Sequence, residues 1–190
     1  MATSWLVVGL GNPGPAYART RHNVGFMTVN ELAQRCGAQW RKARGARAEI
    51  AAITIGDAAV TLAKPQTFMN LSGDAVAALT RTRHIGPDQI IVVHDEIDLE
   101  LGQLRAKLGG GDNGHNGLRS IRACVGSGEF YRVRIGVSRP AGDRDPADWV
   151  LGGFGASQID EAKVMISQAA DAVQSLVRDG LKKTQSRFNN

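Results

Sequence analysis

Residues 5–36 read WLVVGLGNPGPAYARTRHNVGFMTVNELAQRC, and this stretch decides the fold class. The run from Trp5 to Leu10 is short, apolar and closed by glycine, the pattern of a strand buried on both faces. From about residue 24 to 36 the apolar residues recur at helical spacing, and Gly37 is placed to stop the helix. Between strand and helix, Gly9, Gly11 and Gly14 satisfy G-x-G-x-x-G, the loop that seats a dinucleotide pyrophosphate on a helix N-terminus. The context argues against that use. A dinucleotide-binding helix starts inside the glycine loop, whereas here about ten residues intervene. No second strand ending in Asp or Glu follows at the right distance, since Glu31 lies inside the helix. The glycines and Pro13 are expected instead to shape an irregular loop that presents Asn12.

Outward from this stretch, strands and helices alternate. Ala48–Ile55 and Ala58–Leu62 read as strands joined by a turn at Gly56-Asp57. Ser72–Arg83 reads as a helix capped by Asn70 or Ser72. The apolar run Gln89–Val93 reads as a strand leading into His94-Asp95-Glu96. A strand over Gln103–Lys107, a helix over Gly117–Val125, a strand over Tyr131–Ser138 and a short helix over Asp145–Leu151 follow. A long helix is expected from Ser157 to about Lys183, with Ile159, Ala162, Ile166, Ala169, Val173 and Leu176 on one stripe. The expected fold is one α/β domain over residues 1–190. It has a mixed, twisted sheet covered by helices on both faces, and it ends in that long helix.

A chain of 190 residues buries enough surface to fold without staples. Cys36 and Cys124 lack metal-type spacing and read as buried small hydrophobes in a reducing compartment. The start of the chain lacks the features of a secretory signal, and no run approaches 18 apolar residues, so a cytoplasmic protein without a membrane span is expected. No exposed apolar stripe demands an obligate partner, so a monomer is expected. Lys and Arg number 23 against 18 Asp and Glu, a mild basic excess that points weakly to a polyanionic partner.

Three polar segments carry the chemistry: GLGNPGPAYARTRHNVG at 9–25, KPQTFMNLSG at 64–73 and HDEIDLELGQLRAKLGGGDNGHNGLRSI at 94–121. His22, just before a helix, can act as a base at neutral pH. Such an imidazole needs a carboxylate to fix its tautomer, and Asp95 is the candidate. A lone histidine in this place more commonly braces the helix start. Asn12, Asn70 and Asn116 each offer an amide that can grip a peptide backbone or donate to an oxyanion, although caps and turns are the commoner use of asparagine. His22, His94, His115 and Asp95 have no H-x-x-x-H or H-E-x-x-H spacing, so no metal is expected, and no G-x-S-x-G elbow marks a serine nucleophile. Arg105 and Lys107, two apart on a strand, face one side, an arrangement that suits phosphate binding and equally a solvated basic face. Arg119, Arg122, Arg132 and Arg134 lie close in sequence.

Together the three segments resemble the bacterial-type peptidyl-tRNA hydrolases, over nearly the whole chain. The resemblance implies an esterase that uses neither metal nor cofactor and frees tRNA from prematurely released peptidyl-tRNA. It places His22 as the base and Asp95 as its orienting carboxylate. Asn12 stands where the blocked amino group is read, Asn70 and Asn116 hold the substrate near the ester, and Tyr17, Phe68 and Met69 line the cleft, with His115 expected among the substrate-binding residues. Arg105, Lys107 and Arg134 align with cations that contact tRNA phosphate. Asp112-Asn113 and Ser138-Arg139-Pro140 depart from the family's usual pattern. The added carboxylate of Asp112 is expected to weaken a nearby phosphate contact. The alternative is a non-catalytic RNA-binding module on the same fold, which could dispense with the base.

Overall fold

The computed structural model describes residues 3–189. Its strands are β1 (Ser4–Gly9), β2 (Arg41–Lys42), β3 (Ala48–Ile55), β4 (Ala58–Pro65), β5 (Ile90–Glu96), β6 (Leu104–Leu108) and β7 (Tyr131–Gly136). They form one mixed sheet in the order β2-β3-β4-β1-β5-β7-β6. β1 runs parallel to β4 and β5, and β5 parallel to β7. β2, β3 and β4 pair antiparallel in sequence, as do β6 and β7. Every residue of β5 is buried, as expected of a central strand covered on both faces.

The helices are α1 (Val24–Arg35), α2 (Ser72–Arg83), α3 (Asn116–Val125), α4 (Pro146–Val150), α5 (Ile159–Asp179) and α6 (Leu181–Phe188). Alternation along the strands splits the core in two. Val7, Ile91, Val93, Val133 and Ile135 face Val29 and Leu32 of α1 and Met165, Ala169 and Val173 of α5. Leu6, Val8, Ile90 and Val92 face Val76 and Leu79 of α2 and Leu118 and Ile121 of α3. The expected mixed α/β sheet with helices on both faces is what the chain adopts. Among the described residues no helix is long and apolar enough to cross a membrane.

Three local expectations need correction, and one strand was not anticipated. The helix expected to run to about Lys183 breaks at Gly180, whose φ of +87° favours glycine and starts α6 in a new direction. Neither Asn70 nor Ser72 caps α2. Residues Met69–Leu71 form a 3₁₀ turn ahead of it, and the Ser72 hydroxyl donates back to the Met69 carbonyl at 2.7 Å. Cys36 and Cys124 are exposed. Cys36 caps the end of α1, and Cys124 lies on the outer side of α3, where its thiol meets Asp74. The two-residue strand β2 carries no alternation long enough to be legible.

One close approach places the site. A side chain on Gly9 would meet the Gly25 carbonyl oxygen at 2.3 Å, and one on Gly25 would meet the Val93 carbonyl oxygen at 2.3 Å. These glycines let the first turn of α1 sit directly on the ends of β1 and β5. The Phe26 N–H donates to the Leu10 carbonyl and the Leu10 N–H to that of Val93. The loop before α1 thus lies against the C-terminal ends of the parallel strands, where α/β sheets build their sites.

Candidate active site

A cleft at this end of the sheet is lined by Asn12, Tyr17, His22, Phe68, Met69, Asn70, Asp95, His115 and Asn116, together with Glu96, Ile97, Asn113, Gly114, the α4 residues Pro146, Ala147 and Val150, and Leu151 just beyond α4. It therefore gathers residues from all three polar segments.

Asp95 is buried at the end of β5 and holds two imidazoles. His22 Nδ1 lies 2.8 Å from Oδ2, and His115 Nε2 lies 2.8 Å from Oδ1. The tautomers follow from the partners. His115 caps α3, and its Nδ1 accepts from the backbone N–H groups of Gly117 and Leu118. Its proton is therefore on Nε2, which donates to Asp95. Burial works against the Asp95 charge, but the two imidazoles overcome it and hold the carboxyl well below the usual carboxylate range. An ionised Asp95 accepts from His22 Nδ1–H. This leaves His22 Nε2 as the nitrogen with a free lone pair at the cleft. Burial disfavours the His22 cation, yet the Asp95 charge and hydrogen bond outweigh it and raise the pKa above its ordinary value.

The ligand atoms of His22, Asp95 and His115 lie within 4.8 Å of one another, a spacing open to a metal ion. The donor set fits poorly. Both imidazole nitrogens that face Asp95 carry protons in these hydrogen bonds, so neither has a lone pair to offer. His94, the fourth histidine of the rival metal reading, is wholly buried. Its Nδ1–H donates to the Asp95 carbonyl at 2.8 Å. Burial and the neighbouring His115 push its pKa down to about 3. It packs edge-on against the His115 ring, bracing it from behind.

Asn12 is fixed by a residue that the motifs do not single out. Buried Asn23 accepts from the Asn12 N–H and donates to the Asn12 carbonyl, both at 2.9 Å. The Asn12 side-chain oxygen accepts from the Met69 N–H at 2.7 Å. That bond ties the first polar segment to the second and turns the Asn12 amide NH₂ group to the cleft as a donor. The only sequence signal for Asn23 was its place beside His22. Asn70 and Asn116 are exposed at the cleft. Phe68 is 60% exposed and Leu151 45%, giving the rim an apolar side.

Arg21 fastens the opposite wall. It is buried, stacks 3.4 Å over the Trp149 ring and donates to the Trp149 carbonyl at 3.0 Å. Trp149 Nε1–H donates in turn to the Ser138 carbonyl at 2.8 Å. This holds α4, with Val150 and Leu151, beside the His22 segment.

The basic residues fall into two kinds. Arg105 and Lys107 share one face of β6, opposite Arg134 and Arg132 of β7. Burial and the nearby Arg134 and Arg132 lower the Lys107 pKa, so positive charge is concentrated here. Arg132, however, is buried and spent on the carbonyls of Gly110, Gly111 and Gly128. Arg134 is engaged by Glu96 at 3.1 Å, so a phosphate at Arg134 has to compete with that carboxylate. Asn113 donates to both Glu96 and Asp98, which gives one departure in the glycine-rich loop a local bonding role. Asp112 lies 3.7 Å from Arg119.

Known proteins share this architecture and sequence. A family model described as peptidyl-tRNA hydrolase matches residues 6–190. The peptidyl-tRNA hydrolase of Cutibacterium acnes is 51% identical over 200 residues, covering all of both chains. That of Mycobacteroides abscessus is 50% identical over 184 residues, covering 97% of this chain and 94% of the other. Among solved structures, the peptidyl-tRNA hydrolase of Acinetobacter baumannii superposes with a TM-score of 0.92 at 35% identity, covering 100% of this chain and 96% of that one.

Proposed function

The chain belongs to the peptidyl-tRNA hydrolase family, and on that premise we propose that it hydrolyses the ester joining a peptide to the 3′ ribose of tRNA, in the cytoplasm and without a metal ion. The observation that carries the reading is the His22–Asp95 pair at 2.8 Å, facing a cleft that also holds the three asparagines.

In this reading His22 Nε2 takes a proton from water as its oxygen attacks the ester carbonyl carbon. The imidazolium that forms is stabilised by Asp95, and it returns the proton to the departing 3′ oxygen of the ribose. The free peptide carboxylic acid and the tRNA hydroxyl are the products. A base so placed contributes about 10²–10⁴-fold. The amides of Asn70 and Asn116 border the same cleft and serve as donors to the developing oxyanion, each worth about 10²–10³-fold. Tyr17, Phe68 and Met69 line the peptide's path, and Arg105, Lys107 and Arg134 meet tRNA phosphate.

Asn12 gives the selectivity. Its NH₂ group is a donor, so it pairs with the amide carbonyl of an N-blocked residue. A free ammonium group offers only donors and finds no partner there.

The test is release of N-blocked aminoacyl groups from tRNA by purified protein in excess chelator, compared with His22→Ala. Turnover with chelator, and a loss of about 10²–10⁴-fold in the variant, is the expected result. Loss of turnover on chelation sinks the metal-free mechanism. Tight tRNA binding with no turnover in the wild type leaves only an RNA-binding module.

A further inference from the structure

Four cations lie within seven residues in the segment WRKARGAR at 40–47: Arg41, Lys42, Arg44 and Arg47. All four are exposed. Arg41 and Lys42 form β2, the edge strand. Arg44 and Arg47 occupy the tight turn that follows, closed by the Ala43 N–H donating to the Ala48 carbonyl at 2.9 Å and by Gly45 at a φ of +76°. Among the described residues, none of the four has a carboxylate partner within ion-pair distance. Glu49, which lies across from Lys42 in the register, is instead 4.0 Å from Lys64.

The position of this corner gives it meaning. β4 runs parallel to β1 and so ends, at Pro65, on the cleft side of the sheet. Ala48 pairs with Pro65, which puts the turn at 43–47 on that side too. The Gln66 N–H donates to the Arg47 carbonyl at 2.7 Å, and two residues on, Phe68–Asn70 line the cleft. The corner lies three strands from β1, about 14 Å at ordinary strand spacing. Arg105 and Lys107 lie at the opposite edge of the same sheet. There Arg134 and Arg139 are engaged by carboxylates, whereas the β2 corner holds its charge uncompensated.

We propose that Arg41, Lys42, Arg44 and Arg47 form a second docking surface for the phosphodiester backbone of the tRNA substrate, flanking the cleft on the side away from β6. Cations on an edge strand also guard against sheet-to-sheet pairing. That role accounts for Arg41 and Lys42 but not for Arg44 and Arg47, which lie beyond the strand. A polyphosphate backbone is the partner whose charge complements four unpaired cations beside a site that takes an RNA ester. This inference rests on the hydrolase reading above.

The test is the combined variant Arg41→Gln, Arg44→Gln, Arg47→Gln. The control, Arg81→Gln with Arg83→Gln, changes charge at the end of α2 far from the cleft. Binding of uncharged tRNA is measured by filter retention over a salt series, and turnover on N-blocked aminoacyl-tRNA and on a short N-blocked aminoacyl oligonucleotide. The slope of log affinity against log salt should fall by about 0.7–0.9 for each phosphate that the variant no longer neutralises. KM for the full tRNA substrate should rise about tenfold at physiological salt, with kcat and the short substrate unchanged. The control should match wild type. An unchanged slope and KM overturns the docking surface and leaves edge protection alone. Equal loss on the short substrate also overturns it, since the arginines would then act at the site itself. If the wild type binds tRNA but turns over neither substrate, the hydrolase reading fails, while the salt slopes still decide the docking surface.

Discussion

His115 Nε2 donates to Asp95 Oδ1 at 2.8 Å while His22 occupies the other oxygen at the same distance. One buried carboxylate therefore serves two imidazoles, and the second draws off charge that would otherwise act on the first. Removing His115 hands Asp95 to His22 alone. His115→Ala also removes the hydrogen bond that fixes the orientation of the Asp95 carboxylate, so kcat is expected to fall by about tenfold through misalignment, less than on loss of the base itself. It should also raise the pH midpoint of kcat/KM, because the His22 cation gains the undivided carboxylate. A midpoint that falls or stays fixed would show that His115 does not share Asp95 in solution.

The pH profile of the wild type follows from the His22 pKa, which is raised above 6.5 by Asp95 against the opposing effect of burial. The base must be neutral to accept a proton. Activity is therefore absent at low pH and rises through a midpoint above 6.5 to a plateau. Asp95→Asn leaves burial as the main influence, so the midpoint should move below 6.5. The plateau should drop by about 10²–10⁴-fold, as the imidazolium loses its counter-charge. Steady-state rates from pH 5 to 9 on both proteins check the direction, and an upward shift in the variant contradicts it.

Asn12→Asp replaces a donor facing the cleft by an acceptor. Discrimination between N-blocked and free aminoacyl-tRNA, measured as the ratio of kcat/KM values, should narrow by about tenfold or more, since a free ammonium now finds a partner. The Met69 N–H keeps its acceptor, so the fold should be little affected. An unchanged ratio would remove Asn12 from substrate reading.

Gly25→Ala probes the contact that seats α1 on the sheet. The added carbon would lie 2.3 Å from the Val93 carbonyl oxygen and 2.4 Å from the Leu10 nitrogen, both backbone atoms. A loss of about 3 kcal/mol or more is expected in denaturant unfolding. By contrast Gly111→Ala meets nothing within 4 Å and should change stability by no more than about 0.5 kcal/mol. Equal effects at the two positions would contradict the packing argument.

Local patterns carried most of the fold. Among the described residues, period and turn residues marked six of the seven strands and the amphipathic helices, because side-chain periodicity is a local property. The failures had different causes. The break at Gly180 needed a backbone angle that helical spacing does not encode, and β2 was too short to show a period. The exposure of Cys36 and Cys124 depended on which side of a helix the rest of the protein covers.

The sequence by itself determined the chemistry available at the site. A base, a carboxylate, three amides and a basic surface lie in three segments whose order already resembled one family. Only the tertiary structure decided how they act together. Hydrogen bonds between residues far apart in sequence, His22 to Asp95, Asp95 to His115 and Asn12 to Asn23 and Met69, fix the tautomers, turn the Asn12 donor to the cleft and leave one lone pair on His22. Those relationships depend on two glycines that let a helix rest on the ends of β1 and β5. The first and third polar segments meet in space because close packing brings their chain segments together, and no spacing along the sequence records that.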